Sequence, residues 1–167
     1  KVFGKARIVG IKPKEYVKLD YPLQGELHFN DEANQKNLSK VIIDTILSSK
    51  KSIDIAMYSF NSIPVIRNLN KAFLNSISIN LFLDKINSQE YEKTILGRYI
   101  DKFKINQIGI DNIDNGGYMH HKFLLKDKDT RDEELIVGSL NYTAMQEEHD
   151  PSFIFKTEDS EIIKTFK

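Results

Sequence analysis

Apolar runs typical of β-strands alternate along this chain with segments whose apolar residues recur at helical spacing. The strand-type runs include SIDIAMYSF, SISINLFLD and KINQIGI. Strands that are separated by helices tend to pair in one sheet, and the helices then cover the faces of that sheet. The alternation therefore predicts an α/β fold, in which a mixed β-sheet is flanked by helices on both faces.

Local signals set the bounds of the predicted helices. Asp31 can cap a first helix that runs to about Ser49, and Pro64 fits the first turn of a second helix. A third helix is predicted from Gln89 to Phe103. The apolar face of the first helix is formed by Leu38, Val41, Ile42, Thr45 and Ile46. These elements make a βαβ unit that continues into further strands.

The length of 167 residues suits a single domain with one core. Residues 23–167 follow the alternating plan and are interpreted as the main domain. Residues 1–22 fall outside it, and their runs ARIVGI and EYVKL predict an added β-hairpin or the remnant of a preceding domain. Because the chain begins with Lys1, we expect a trimmed or excised chain, from which a leader or another domain has been removed.

Composition excludes several classes of protein. The chain has no cysteine, which excludes disulfides and thiolate metal sites. No apolar run approaches ~20 residues, so we expect no transmembrane segment, and a soluble domain that is cytoplasmic or exported. The 24 basic and 24 acidic residues cancel, which argues against a tight non-specific DNA binder. A local positive cleft is still compatible with this balance, bordered by Lys50, Lys51, Lys102, Lys104, Lys122 and Lys126.

Two pairs of polar residues, each spaced by one residue, stand beside strand-type runs in the last third of the chain. His120 and Lys122 come at the start of KFLL, and Ser139 and Asn141 follow ELIVG. In an extended chain, residues two apart project from the same face, so the imidazole and the ammonium converge, and His121 points away. Two neighbouring strands would bring all four groups together.

These four groups suit a phosphate. A neutral imidazole can attack phosphorus and carry a covalent phosphoryl intermediate. A lysine ammonium and an asparagine amide can neutralise and hydrogen-bond the oxygens on which charge builds. This chemistry requires no metal and no other cofactor. The joint pattern, HxK, four residues, Asp127, then GSxN, is far more specific than HxK alone.

At these residues the chain resembles the phospholipase D superfamily, whose signature is the HKD motif followed by GSxN. The resemblance covers residues 24–167 and is to members with one motif, which are small nucleases and related phosphodiesterases, including a branch that hydrolyses cardiolipin. It implies a phospholipase D-like fold. The matching residues are His120, Lys122, Asp127, Gly138, Ser139 and Asn141.

The resemblance also implies a homodimer, in which one copy of His120 is the nucleophile and its twin protonates the leaving oxygen. One histidine cannot be both deprotonated and protonated in the same step, whereas two copies can hold opposite states. The remaining histidines, His28, His121 and His149, lack the accompanying lysine and GSxN, so a second copy of the chain is the natural source.

Two features of the sequence depart from the family pattern. The spacer KDTRDEELIV after the HKD part is longer than usual, which predicts a lengthened hairpin, and Asp129 competes for the aspartate position. Where relatives carry a glutamate, ungapped register gives Ser152. A local shift would supply Asp150 as the substitute carboxylate, with His149 beside it as a weaker candidate.

Three residues keep a structural interpretation. Asp127 lies five positions from Lys122, an odd separation that puts it on the opposite face of a regular strand, so we interpret it as structural or supporting. Ser139 belongs either to the phosphate site or to the cap of a helix in NYTAMQEE. His28 lies in the strand-type run LHF, although its chain position could bring it near the site.

The sequence therefore predicts a metal-independent phosphodiesterase, an endonuclease that cleaves DNA in preference to RNA through a phosphohistidine at a homodimer interface. One alternative is a phospholipid phosphodiesterase of the cardiolipin hydrolase type, which would use the same residues. Another is the cleavage domain of a larger protein whose recognition or motor domains are missing from this chain. A third is a phosphate-binding module without turnover, which Ser152 in the glutamate position suggests.

Overall fold

A computed structural model describes residues 24–30, 38–88, 96–99, 103–108, 118–143 and 151–167. Within these ranges seven strands form one sheet. They are β1 (Glu26–Phe29), β2 (Ser52–Met57), β3 (Ser78–Asp84), β4 (Lys104–Ile108), β5 (Lys122–Lys126), β6 (Glu134–Gly138) and β7 (Phe153–Thr157). Their order across the sheet is β1-β7-β6-β5-β2-β3-β4. Strands β2, β3 and β4 are parallel, whereas every other pair is antiparallel, so the predicted mixed sheet is confirmed.

Helices lie between and after these strands. They are α1 (Leu38–Leu47), α2 (Ile63–Leu74), α3 (Lys85–Ser88) and α4 (Ser160–Ile163), with 3-10 turns at Leu96–Tyr99 and Lys164–Phe166. Helix α2 begins as predicted, with Pro64 in its first turn, and the Ser62 hydroxyl caps it by accepting the N–H of Val65 at 3.4 Å. None of the helices in the described ranges has the length and apolar character needed to span a bilayer.

The sheet is covered on both faces, because its two faces contribute to different apolar cores. Helices α1 and α2 pack on one face, where Leu124 joins the larger core. On the other face Leu125 packs with Ile163 of α4 in a smaller core. Adjacent residues of β5 thus point in opposite directions, as the period of two along a strand requires. This arrangement confirms the predicted α/β fold class.

The bounds of several predicted elements differ from the observed ones. The SIDIAMYSF strand ends at Met57, because Phe60 leaves the sheet and forms an isolated bridge to Tyr142. Helix α3 begins before the predicted Gln89, and Phe103 is in a bend directly before β4. Much of the predicted third helix, the predicted cap at Asp31, the end of KINQIGI and the N-terminal extension lie outside the described residues.

Candidate active site

The antiparallel hairpin of β5 and β6 brings both parts of the sequence pattern to one edge of the sheet. Strand β5 begins at Lys122, strand β6 ends at Gly138, and Phe123 lies opposite Val137. The carboxyl ends of the parallel strands β2 and β3 lie at the same edge, since Met57 pairs with Lys122. In open α/β sheets this edge is the usual place for a ligand site.

His120 and Lys122 are in direct contact at this edge. The Nζ atom of Lys122 lies 3.1 Å from Nε2 of His120 and 3.3 Å from the carbonyl oxygen of the same residue. An ammonium has donors and no acceptor, so this contact is a hydrogen bond in the tautomer whose Nε2 atom accepts. Burial lowers the pKa of Lys122, because desolvation disfavours the charged ammonium. The geometry gives an exposed imidazole whose nucleophilic nitrogen is held by a cation.

Tyr58 forms an aromatic wall beside this pair. Its ring centroid is 4.6 Å from that of His120, in an edge-on arrangement, and Nζ of Lys122 lies 5.2 Å from the ring centroid. Tyr118, which is 57% exposed, packs edge-on against the same ring at 6.0 Å. Sequence reasoning assigned Tyr58 to a strand and missed its place at the site. An aromatic residue at the carboxyl end of a predicted parallel strand was the available signal.

The short loop after β2 ties the two parts of the pattern together. The N–H of Tyr58 donates to the carbonyl of His121 at 3.0 Å, and the N–H of Ser59 donates to Oδ1 of Asn141 at 3.3 Å. Further along the loop, two more N–H groups donate to the carbonyl of Tyr142. Neighbouring residues of one loop therefore hold both the histidine segment and the buried asparagine. The Nδ2 group of that asparagine is a hydrogen-bond donor, which is the kind of group that binds an anionic oxygen.

Ser139 joins the end of β6 to the start of β7. Its N–H donates to the carbonyl of Phe153 at 3.0 Å, and its hydroxyl accepts the N–H of Phe153 at 3.1 Å. The neighbouring Ser152 is buried, and its carbonyl accepts the N–H of Asn30 at 2.9 Å. Asp150 and His149, the candidates for the missing carboxylate, lie outside the described residues, as does most of the segment that Ser139 was expected to cap.

Gly138 leaves no room for a side chain at this junction. A Cβ atom there would overlap the carbonyl oxygen of Phe153 and would lie 2.9 Å from Cα of Ile154, both of which are backbone atoms. We expect Gly138→Ala to lower the free energy of unfolding by about 1–3 kcal/mol, because β6 and β7 must move apart. Urea unfolding measures this change. An unchanged midpoint would show that the two strands tolerate a wider spacing.

Asp127 lies at the opposite end of β5, where it binds backbone amides. Its fully buried carboxylate accepts N–H groups from Lys50 at 2.9 Å, Lys51 at 2.7 Å and Ser52 at 3.1 Å. Asp127 lies seven steps along a nearly extended chain from His120, a distance on the order of 20 Å. The competing residue Asp129 is exposed and pairs with Lys167 at 2.8 Å. Neither aspartate lies at the edge that holds the imidazole.

The predicted positive cleft is wrong for four of its six lysines. Lys50, Lys51 and Lys126 lie at the Asp127 end of the sheet, and Lys104 begins β4 opposite Asn80, also at that end. Of the six, only the lysine that contacts His120 is placed at the site edge by the described residues, and Lys102 lies outside them. For Lys126, closeness in sequence to Lys122 misled the prediction, since the two residues stand at opposite ends of one strand.

His28 lies away from this site. It belongs to the outer strand β1, three strands from β5, and its Nε2 atom is 3.1 Å from Oε2 of Glu26. The ring of His121 packs edge-on against Phe123 at 6.2 Å. Among the residues that the structure describes, no group of three or more His, Asp or Glu side chains is arranged to hold a metal ion.

Comparison with known proteins agrees with this fold. The sequence model of the family described as "Cardiolipin synthase, PLD-like domain" matches residues 42–167. NucT from Helicobacter pylori superposes with a TM-score of 0.73 at 22% identity, over 86% of this chain and 90% of that chain. Nuc from Salmonella typhimurium, a phospholipase D family member, superposes with a TM-score of 0.68 at 16% identity, over 86% and 88% of the two chains.

Curated sequences give a second comparison. Human mitochondrial cardiolipin hydrolase is 26% identical over 125 residues, which is 75% of this chain and 46% of that protein. The chain thus spans about half the length of the curated relatives it matches. With the family match covering most of its residues, the chain belongs to the phospholipase D superfamily.

Proposed function

We propose that this protein is a phosphodiesterase that cleaves nucleic acid through a covalent phosphohistidine at His120. The observation that carries the proposal is the contact of 3.1 Å between Nζ of Lys122 and Nε2 of His120. It places a nucleophile beside a cation. When substrate binds, the ammonium can turn its hydrogen bond from Nε2 to an oxygen of the phosphate. Membership of the superfamily supports the coarser activity, that of a phosphodiesterase.

In the proposed cycle, Nε2 of His120 attacks phosphorus and the bond to the leaving oxygen breaks. That oxygen takes a proton from His120 of a second copy of the chain, which is protonated at that moment. Lys122 and Asn141 neutralise the charge that develops on the phosphate oxygens. Water then attacks the phosphorus of the phosphohistidine and loses its proton to the second histidine, while the bond between phosphorus and Nε2 breaks. The phosphate product leaves, and both histidines return to their starting states.

A homodimer is part of this proposal because the cycle needs a general acid as well as a nucleophile. The other two histidines in the described ranges are poorly placed for that role, since His28 lies on the outer strand and His121 packs against Phe123. A two-fold dimer presents the same surface of each copy to the other, so it can place two equivalent imidazoles face to face.

Nucleic acid is the substrate that the surroundings of the site favour. Tyr118 is largely exposed and packs on the Tyr58 ring beside His120, so a base next to the bound phosphate has an aromatic face on which to stack. The one-motif members that the chain resembles include small nucleases, and this supports the same substrate class. DNA and RNA both offer such bases, and we propose DNA as the preferred substrate.

A phospholipid phosphodiesterase is the second candidate, and the sequence comparison favours it. The curated relative described above is a mitochondrial cardiolipin hydrolase, which shares about a quarter of its aligned residues with this chain. The same histidine and lysine would act on a lipid phosphodiester.

Cleavage assays in the presence of EDTA separate these candidates. The purified protein is incubated with labelled single-stranded DNA, double-stranded DNA and RNA, and in parallel with vesicles that contain cardiolipin. We expect cleavage of nucleic acid, with single-stranded DNA cut fastest, and no hydrolysis of lipid. Hydrolysis of the vesicles alone would establish the lipid enzyme. Binding of oligonucleotides without any turnover would establish a binding module.

The charge of Lys122 predicts a characteristic dependence of activity on pH. Because burial lowers the pKa of Lys122, its ammonium is lost at a lower pH than that of an exposed lysine, and activity should fall early on the alkaline side. An arginine at this position stays charged at alkaline pH. The variant Lys122→Arg should therefore move the alkaline limb of the pH profile to higher pH, with a reduced maximal rate. Profiles of kcat/KM for both proteins test this, and an identical alkaline limb would contradict the assignment.

A further inference from the structure

A buried carboxylate that the proposed cycle does not use lies behind the histidine segment. Asp84, the last residue of β3, is 1% exposed. Its Oδ2 atom accepts the N–H of Met119 at 2.9 Å, and its Oδ1 atom accepts both the N–H and the Nδ2 group of Asn87 at 2.9 Å. The contact with Met119 spans 35 residues of sequence and ends one residue before His120.

The segment that carries His120 depends on such contacts because it precedes the regular pairing of β5. Residues 118–121 lie outside the strand, which begins at Lys122. The residues on either side of His120 each make a backbone hydrogen bond to a neighbouring strand end. The N–H of Met119 donates to Asp84, and the carbonyl of His121 accepts the N–H of Tyr58. The side chain of Met119 is also buried, at 8% exposure. These bonds fix the backbone before and after His120, and the acceptor of the first bond is the carboxylate of Asp84.

We propose that Asp84 is a positioning residue, which fixes the backbone of His120 so that Nε2 meets the phosphorus of the bound substrate. The inference rests on the proposed function. A buried carboxylate makes a stronger hydrogen bond to an amide than a neutral acceptor does, and its loss leaves that amide without a partner. Misplacement of a reacting group by about 1 Å can cost on the order of a hundredfold in rate.

The effect should appear in kcat rather than in substrate binding. Lys122 is fixed by the pairing of β5 with β2, and Asn141 by the N–H of Ser59, so both phosphate-binding groups stay in place when Asp84 is changed. The groups that lose their acceptor are the Met119 amide in the segment that carries His120 and the N–H and Nδ2 groups of Asn87. A general loss of folded protein would also lower the apparent kcat at unchanged KM, so kcat is expressed per folded molecule, with the folded fraction of each variant measured by thermal unfolding.

The test compares three variants on the best substrate found in the cleavage assays. Asp84→Ala is expected to lower kcat by about 10- to 100-fold with KM nearly unchanged. Asp84→Asn keeps one oxygen that can accept the Met119 amide, so it should recover most of that loss. The matched control is Asp54→Ala in the neighbouring strand β2, which removes a carboxylate bonded to Asn80 at 2.6 Å, away from the histidine segment. Its kcat should equal that of the wild-type protein.

Hydrogen exchange at the Met119 amide gives a readout that does not need turnover. The amide should be protected in the wild-type protein and in Asp54→Ala, and it should exchange faster in Asp84→Ala. If the wild-type protein cleaves no substrate, the proposed function fails. The exchange experiment then tests only whether Asp84 holds the Met119 amide. Unchanged protection in Asp84→Ala would overturn the inference, as would a wild-type kcat in that variant or an equal loss in Asp54→Ala.

Discussion

Replacing His120 with alanine is expected to lower phosphodiester cleavage by at least about a thousandfold, because the nucleophile of the proposed cycle is lost. The fold should survive, since the imidazole is exposed and its described contacts are with Lys122 and the ring of Tyr58. The rate is measured in EDTA, with thermal unfolding of both proteins alongside. The matched control is His121→Ala, an exposed neighbouring histidine whose ring packs against Phe123.

Two outcomes would contradict this expectation. Residual activity in His120→Ala close to that of the wild-type protein would remove the covalent mechanism. Equal losses in His120→Ala and His121→Ala would point to damage of the whole segment. Quenching in alkaline detergent during turnover adds a direct observation, because the P–N bond of a phosphohistidine survives alkali but is hydrolysed in acid. A phosphoryl group should then be found on the wild-type protein and not on the variant.

Mixed dimers test the second half of the same mechanism. If each composite site needs His120 from both copies, a dimer of one wild-type and one His120→Ala subunit is inactive. After equal amounts of the two proteins exchange subunits at random, roughly a quarter of the dimers are fully wild type, and activity should fall to that fraction of an all-wild-type sample. A decline to half would show that each subunit works independently.

Replacing Asp127 with alanine is expected to give the largest loss of stability, about 2–4 kcal/mol. Its buried carboxylate binds the amides of Lys50, Lys51 and Ser52, and these donors would lose their partner. Asp127 also has a φ of 52°, a left-handed conformation in which alanine is less favourable than aspartate. Urea unfolding at neutral pH measures the change.

Comparison variants separate the causes of that loss. Asp129→Ala is the matched control, because Asp129 also has a positive φ, of 60°, but is exposed and pairs only at the surface. It should retain nearly all of the stability. Asp127→Asn keeps one acceptor oxygen and a residue that tolerates the left-handed region, so it should fall between alanine and the wild-type protein. A wild-type midpoint for Asp127→Ala would contradict the structural assignment.

The fold class and the histidine–lysine contact could be predicted because both depend on local periods. The alternation of strand and helix patterns specifies the layers, and a spacing of two residues places His120 beside Lys122 in extended chain. Motif spacing alone brought Asn141 into the prediction. These features are readable because each involves residues close in sequence or a pattern that repeats along it.

The features that sequence reasoning missed depend on long-range pairing. Asp84 meets Met119, and Tyr58 meets His120, only because β2 and β3 end and β5 begins at the same edge of the sheet. The misplaced lysines have the same cause, since Lys122 and Lys126 lie at opposite ends of one short strand. Which end of a strand a residue occupies follows from the direction and order of the strands, and neither is written in local composition.

The residue proposed for catalysis and the residue proposed for stability lie at opposite ends of strand β5. His120 is just before the strand, and Asp127 is just after it. Changes at sites this far apart usually act independently on a protein. If His120 has the proposed role, a lineage can therefore lose the chemistry at one end and keep a well-folded domain, or stabilise the fold at the other end without changing turnover. On the proposed function, selection on catalysis and selection on stability act on residues at opposite ends of the same strand.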